Sequence, residues 1–329
     1  MSIEQISAVE NLIQIGFTPR EADFLYLVGT HSGVFTARQY RTFGGLATRG
    51  GTQQQLLDKL DKYQFIIRIA LTQQHQIIHL SHKAFYRAIL TEDSRLRRGM
   101  SASLMRQRLH YMDYIALNPD ARYLTTEAQK IEYLTQQFGL SDAILPRQVY
   151  RAKDAANGSS VRFFPERYPM FITEAEGYAG LGIVYGEDPA NRFASFRRFV
   201  LANRDLFSQI PSLNFTYVST SSGRASLACA LLRSLFGGPD SVHNEDMKHY
   251  FRLRQMYENN ALGSFTDADY AFWTRNHKQY SALNYEPLFA EFCGQTSLSD
   301  SSLVVKKRMF SFCHFIPSTT LREGFEAER

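Results

Sequence analysis

Three segments near the start of the chain open in the same way, with Thr18 three residues before Glu21, Thr36 before Gln39 and Thr52 before Gln55. Threonine followed at that spacing by Glu or Gln is a capping box, in which each side chain satisfies a backbone N–H that the first turn of a helix leaves without a partner. Three such signals in so short a span predict three short helices and leave little room for anything else. Pro19 sits at the first helical position, where its fixed φ suits the turn. Ala22, Leu25 and Val28 share one face and Gly33 marks the stop, while the second helix ends at Gly44–Gly45. In the third, Leu56, Leu57, Leu60 and Tyr63 recur at helical spacing. From Phe65 the period becomes that of a strand: FIIRIAL and QIIHLS flank TQQHQ, a β-hairpin with a polar tip. HKAFYRAIL adds a last short helix ending near Leu90. Helix, helix, helix, hairpin, helix is the order of a winged helix-turn-helix.

In a helix-turn-helix the last helix enters the major groove and presents side chains to base edges. With leucines and Tyr63 on the core side, the opposite face of the third helix carries Gln54, Gln55, Asp58, Asp61 and Lys62, with Lys59 nearby. Glutamine can bond adenine through two contacts and aspartate can accept from the cytosine amine, so this face is suited to reading sequence. The two aspartates work against phosphate binding. Arg49 just before the helix, and Arg38 and Arg41 on the preceding one, are placed for the DNA backbone, and Arg68 with Gln73 and His75 would serve the wing.

Charge supports the same division. The chain has 37 Lys/Arg against 32 Asp/Glu, and residues 1–108 hold 14 of the cations against 8 of the acids, leaving 23 against 24 for the rest. The whole positive excess therefore lies in the first third, as expected of a polyanion-binding segment on a neutral body. EDSRLRRGMSASLMRQRLHYMDYIAL continues it with Arg95, Arg97, Arg98, Arg106 and Arg108, read here as a basic helical linker that tracks the DNA backbone.

The character then changes. YLTTEAQKIEYLTQQFGL is another capped helix, Thr126 with Gln129, and AKDAANGSS is a polar loop. VRFFPERYPMFIT and GLGIVYGED read as strands, PANRFASFRRFVLANRDLFSQI as a helix with Phe193, Phe196, Val200, Phe207 and Ile210 on one side, LNFTYVST as a strand and GRASLACALLRSLFGG as a helix. That alternation predicts a small α/β core with a mixed sheet. The last 90 or so residues suggest aromatic-rich helices around Trp273 and one late strand, SLVVKKRMFSFCHFIP. The expected layout is a winged helix-turn-helix domain over 1–95, a basic helical linker over 96–150 and an α/β domain with C-terminal helices over 151–329, giving an α+β chain.

The capped helices FTPREADFLYLV and FTARQY followed by this core resemble the replication-relaxation type of protein found on mobile genetic elements. That resemblance spans roughly residues 8–236, and it implies that the second part is similar to a restriction-endonuclease-like core, often degenerate. An active core of that kind needs an acid on one strand and Glu-x-Lys on the next to hold Mg²⁺. Glu187 and Asp188 end a strand here, with Glu174 and Glu176 before them, but residues 189 and 190 are Pro and Ala and no lysine follows. TSSGR, residues 220–224, is either a phosphate-holding turn or a plain helix cap. No Walker motif or His-x-His pair is present, so no catalytic residue, metal or cofactor is expected. The alternative to a pure DNA binder is a nuclease-like enzyme delivered by the winged helix.

Cys229, Cys293 and Cys313 are too few and too scattered for a disulfide framework or zinc site, which points to a reducing cytoplasm, with Cys313–His314 expected in a buried strand. No apolar run approaches the ~20 residues that span a bilayer, and MSIEQISAVENL lacks the features of a signal peptide. The expected partner is double-stranded DNA. A single small module seldom discriminates against a genome of competing sites, so the aromatic-rich second half is expected to hold a homodimer.

Overall fold

The computed structural model describes residues 3–46, 51–70, 76–151, 159–164, 168–175, 177–187, 192–236, 244–259, 265–281, 289, 292–293 and 309–317. Helix α1 (Ile3–Ile15) leads into α2 (Pro19–Leu27), which continues as a π-helical turn over Val28–Ser32 and stops at Gly33 with φ 75°. A left-handed residue at that point favours glycine. The two-residue strand β1 (Val34–Phe35) precedes α3 (Ala37–Phe43), α4 (Gly51–Lys62), the hairpin β2 (Ile66–Ala70) and β3 (Gln76–Leu80), and α5 (Lys83–Ala88). Both boxes at Thr18 and Thr36 close as the sequence predicts, each threonine accepting from the N–H three residues on while Glu21 or Gln39 reaches back. The third does not act as a cap. Helix α4 already includes Gly51, so Thr52 lies within it.

β1, β3 and β2 form a three-stranded antiparallel sheet in that order, with Val34 opposite His79 and Arg68 opposite Ile78. The helices close over it on an aromatic core in which Phe24 meets Phe35, Tyr40 and Phe43 within 5.3 Å. Leu56, Leu57 and Leu60 of α4 are buried, and the Tyr63 hydroxyl donates to the Ile15 carbonyl at 2.5 Å.

Helix α6 (Ala102–Leu117) follows, capped by Ser101. Beyond it, β4 (Arg122–Leu124), β7 (Met170–Ala175), β8 (Tyr178–Gly186), β9 (Ser212–Val218) and β10 (Met309–Phe315) make a five-stranded sheet in the order β10-β9-β8-β7-β4. β8 and β9 run parallel, while β4–β7 and β7–β8 are antiparallel, so the sheet is mixed. A parallel pair needs a crossover, and it is made by α8 (Arg192–Ala202) and α9 (Arg204–Ser208), a single predicted helix broken at Asn203, whose amide donates to the Phe199 carbonyl at 2.8 Å. Phe196, Val200, Phe207 and Ile210 are buried, Phe196 against Phe215 and Tyr217 of β9 and Phe207 against Phe215. α7 (Glu127–Phe138) is capped by Thr126, and β5 (Arg147–Arg151) and β6 (Ser159–Phe163) pair as a separate two-stranded sheet. The chain is therefore α+β, with β4 inside the sheet although its segment reads in sequence as linker.

Contacts gather residues 1–231 with 310–329 into one compact unit and 232–309 into a second, the division falling inside α10 (Ser222–Phe236). In the second unit α11 (Asn244–Glu258) and α12 (Asp267–Tyr280) pack Met247, Tyr250, Phe251, Tyr280 and Phe289 together, with Trp273 stacked on Tyr250 at 4.8 Å. Among the described residues no helix is long and apolar enough to cross a membrane. Cys313, expected in a buried strand, lies on the edge strand β10 and is exposed.

Candidate nucleic-acid interface

The outer face of α4 starts from its amphipathic pattern. Burial of Leu56, Leu57 and Leu60 leaves Gln54, Gln55, Asp58, Asp61 and Lys62 exposed. Gln54 Nε2 donates to Asp58 Oδ1 at 2.7 Å, an i,i+4 bond along the helix. Among the described residues Gln55 has no comparable bond, and Lys62 lies with its Nζ 5.6 Å from the Tyr63 ring centre.

The hairpin is tied to this face. Arg68 on β2 pairs with Asp61 through its Nη2, with Nε also 3.4 Å from the same carboxylate, and its Nη1 donates to Gln76 across the hairpin at 3.2 Å. One of the two acids on the helix face is thereby neutralised. Arg68, expected to serve the wing by contacting DNA, is exposed and also ties helix and hairpin together.

Two further cations expected at phosphates are half-buried and paired with buried acids. Lys59 Nζ donates to Glu21 Oε2 at 2.6 Å, and the same oxygen accepts from Thr18 N–H at 2.7 Å, so the buried capping glutamate also fixes α4 against α2. Arg38 Nη2 donates to Asp113 Oδ1 of α6 at 2.9 Å. Sequence spacing finds Glu21 as a cap but gives no sign of its second partner, and nothing marks Asp113. Arg41 is half-buried; Arg98 is exposed; Arg97, in the 3₁₀ turn Arg95–Arg97, is half-buried with its Nε enclosed and unbonded. Arg49, Gln73 and His75 lie outside the described residues.

Helix α6 joins this layer to the sheet. Gln39 Nε2 donates to the Leu109 carbonyl at 2.7 Å and to Asp113 Oδ1 at 2.9 Å, and the buried Arg108 gives Nη1 to the His31 carbonyl at 3.0 Å. On its other side Gln107 donates to the Gly186 carbonyl at 2.8 Å, where a Cβ on residue 186 would fall 2.6 Å from the Tyr111 ring. Arg108, read in sequence as part of a run tracking DNA, is an interior residue. Burial, with the charges of Lys130 and Arg108, pushes His31 down to about 3, and burial with Arg106 pushes His110 down to about 4.

The acid at the end of β8 is engaged rather than open. Glu187 is buried, accepts from the Ser219 hydroxyl at 2.6 Å and pairs with Arg224 at the start of α10. Ser221 Oγ accepts from the Arg224 N–H at 3.3 Å, so the TSSGR turn acts as a helix cap. Asp188 and Glu176 lie outside the described residues.

No protein-family model matches the chain, and no curated protein or solved structure matches it either.

Proposed function

We propose that the chain is a sequence-specific double-stranded DNA-binding protein whose first 95 residues act as a winged helix-turn-helix, in the manner of a transcriptional regulator or an accessory factor of a mobile genetic element. The observation that carries this reading is the placement of α4, which shows Gln54, Gln55, Asp58 and Lys62 to solvent while β2 and β3 stand beside it, bound through Arg68 and Asp61. The element order α2-β1-α3-α4-β2-β3 and the sheet order β1-β3-β2 support it further. Glutamine amides are suited to adenine edges, and the free Lys62 to a phosphate. The link to mobile elements rests on the resemblance of the capped helices and of the element order that follows them.

The test is a titration of the full chain against a fluorescently labelled duplex pool in rising KCl. The expected result is binding whose affinity falls log-linearly with salt, as counterion release requires. Absence of duplex affinity at low salt contradicts the proposal. We propose in addition that the protein binds as a two-fold dimer, with half-sites one helical turn apart or a multiple of it. Light scattering that gives a mass near the 37.7 kDa chain, with and without DNA, contradicts the dimer alone.

A further inference from the structure

The β5–β6 sheet stands apart from both larger sheets. Its register places Arg147 opposite Phe163 and Val149 opposite Val161. Alternation along a strand puts Arg147, Val149, Val161 and Phe163 on one face. The base of this ribbon is fixed. Phe164 N–H donates to the Pro146 carbonyl at 2.8 Å, Phe163 N–H donates to Glu127 Oε1 of α7 at 2.6 Å, and Leu145 and Phe164 are buried. Beyond the base Val149 is exposed by 54% and Val161 by 47%.

A lone two-stranded hairpin is marginally stable in water, and a cross-strand valine pair left open on it lacks a cover. The charge of the strands indicates what covers it. RQVYR and SSVRF contain three arginines and no acid, and both Arg147 and Arg162 are exposed. Among the described residues the acid paired with the ribbon is Glu127, 3.8 Å from Arg162 at a half-exposed site, a weak pair. A basic, rigidly rooted, two-stranded ribbon with a small apolar face matches duplex DNA, whose major groove admits such a ribbon between two rows of phosphates.

We propose that the β5–β6 ribbon is a second DNA-contacting arm, lying in a groove with the Val149–Val161 pair against the groove wall, Arg147 reaching a phosphate from that face and Arg162, opposite Gln148, reaching one from the other face. This rests on the duplex-binding reading above and extends the contact surface to a part of the chain where sequence places no DNA-binding residue.

The experiment compares the full chain with the double variant Arg147→Ala/Arg162→Ala on a fluorescently labelled duplex across a KCl series. Two lost phosphate contacts are expected to weaken specific and random duplexes alike and to make the slope of log affinity against log salt shallower by about 2. The charge-keeping variant Arg147→Lys/Arg162→Lys is expected to keep the wild-type slope, which separates lost charge from lost folding. An alanine variant with wild-type affinity and slope, in a protein that still binds duplex DNA, overturns the ribbon and leaves the α4 reading standing. Failure of the wild-type chain to bind DNA overturns both. A Val149→Asp variant that loses a dimer seen by light scattering but keeps its DNA affinity overturns the proposal in favour of a second protein chain on the ribbon.

Discussion

Helices α4 and α6 are both amphipathic and both carry charged residues through their length, yet they use them in opposite ways. On α4 the leucines are buried and Gln54, Gln55, Asp58 and Lys62 stay in solvent. On α6 Arg108, His110 and Asp113 are themselves buried, with Arg108 and Asp113 bonded to the layer in front. A buried charge is tolerated only when hydrogen-bonded, and α6 meets that condition by taking the His31 carbonyl and the Arg38 and Gln39 side chains as partners. Polar residues are thus drawn into the interior along α6, whereas along α4 Gln54, Gln55, Asp58 and Lys62 stay at the surface. The same distinction divides the cations: Arg38, Lys59 and Arg68 have intramolecular acids, whereas among the described residues Lys62 has the Tyr63 ring as its neighbour.

The largest effect is expected at α6. Asp113→Ala removes the acceptor of both Arg38 and the buried Gln39 amide and should cost about 3 kcal/mol in urea unfolding. A loss under about 0.5 kcal/mol, the size of an ordinary surface change, would erase the contrast between the helices. Acid should act through the same interior. His31 and His110 are neutral when folded and bind protons more readily once unfolded. Their contribution is therefore complete above the unfolded pKa near 6.5 and is lost as pH falls toward about 3 and 4. His31→Phe should flatten the fall of stability between pH 7 and pH 4.5 by on the order of 2 kcal/mol; an unchanged pH profile speaks against a neutral buried ring.

A smaller change sharpens the comparison within α4. Lys59→Met leaves Glu21 buried with one charge partner fewer, so stability should drop by about 2 kcal/mol. Its effect on the salt slope of DNA binding should be absent, whereas Lys62→Ala should make that slope shallower by about 1 with little change in stability. Reversal of the two outcomes would mean that the assignment of structural and DNA-facing cations is wrong.

How far these roles were legible in the sequence depends on the physical range of each signal. Thr18 and Thr36 were readable because a cap is a local bond between residues three apart. The segments of β8 and β9, the helical stretch between them and the mixed character of the sheet were readable from alternating strand and helix patterns, though not which strands pair. β1 and β4, of two and three residues, are too short to show a period, and both are set by neighbours distant in the chain. The roles of Arg38, Lys59, Arg68 and Arg108 were not legible, since a cation on a phosphate and a cation on a distant carboxylate or carbonyl look alike until the chain is folded. Gln54 and Gln55 were legible as exposed because leucine spacing alone decides that face.

The central claim is that this α4 face reads base edges, and selection of preferred sites from random duplexes by the full chain, followed by Gln55→Ala and Gln54→Ala variants on the selected and a scrambled duplex, tests it most directly. Each glutamine that bonds an adenine should cost roughly 1–3 kcal/mol on the selected site and little on the scrambled one. Gln55 should show the greater loss, since the Gln54 amide is already shared with Asp58. Equal losses on both duplexes, or no site recovered by selection, would contradict the account.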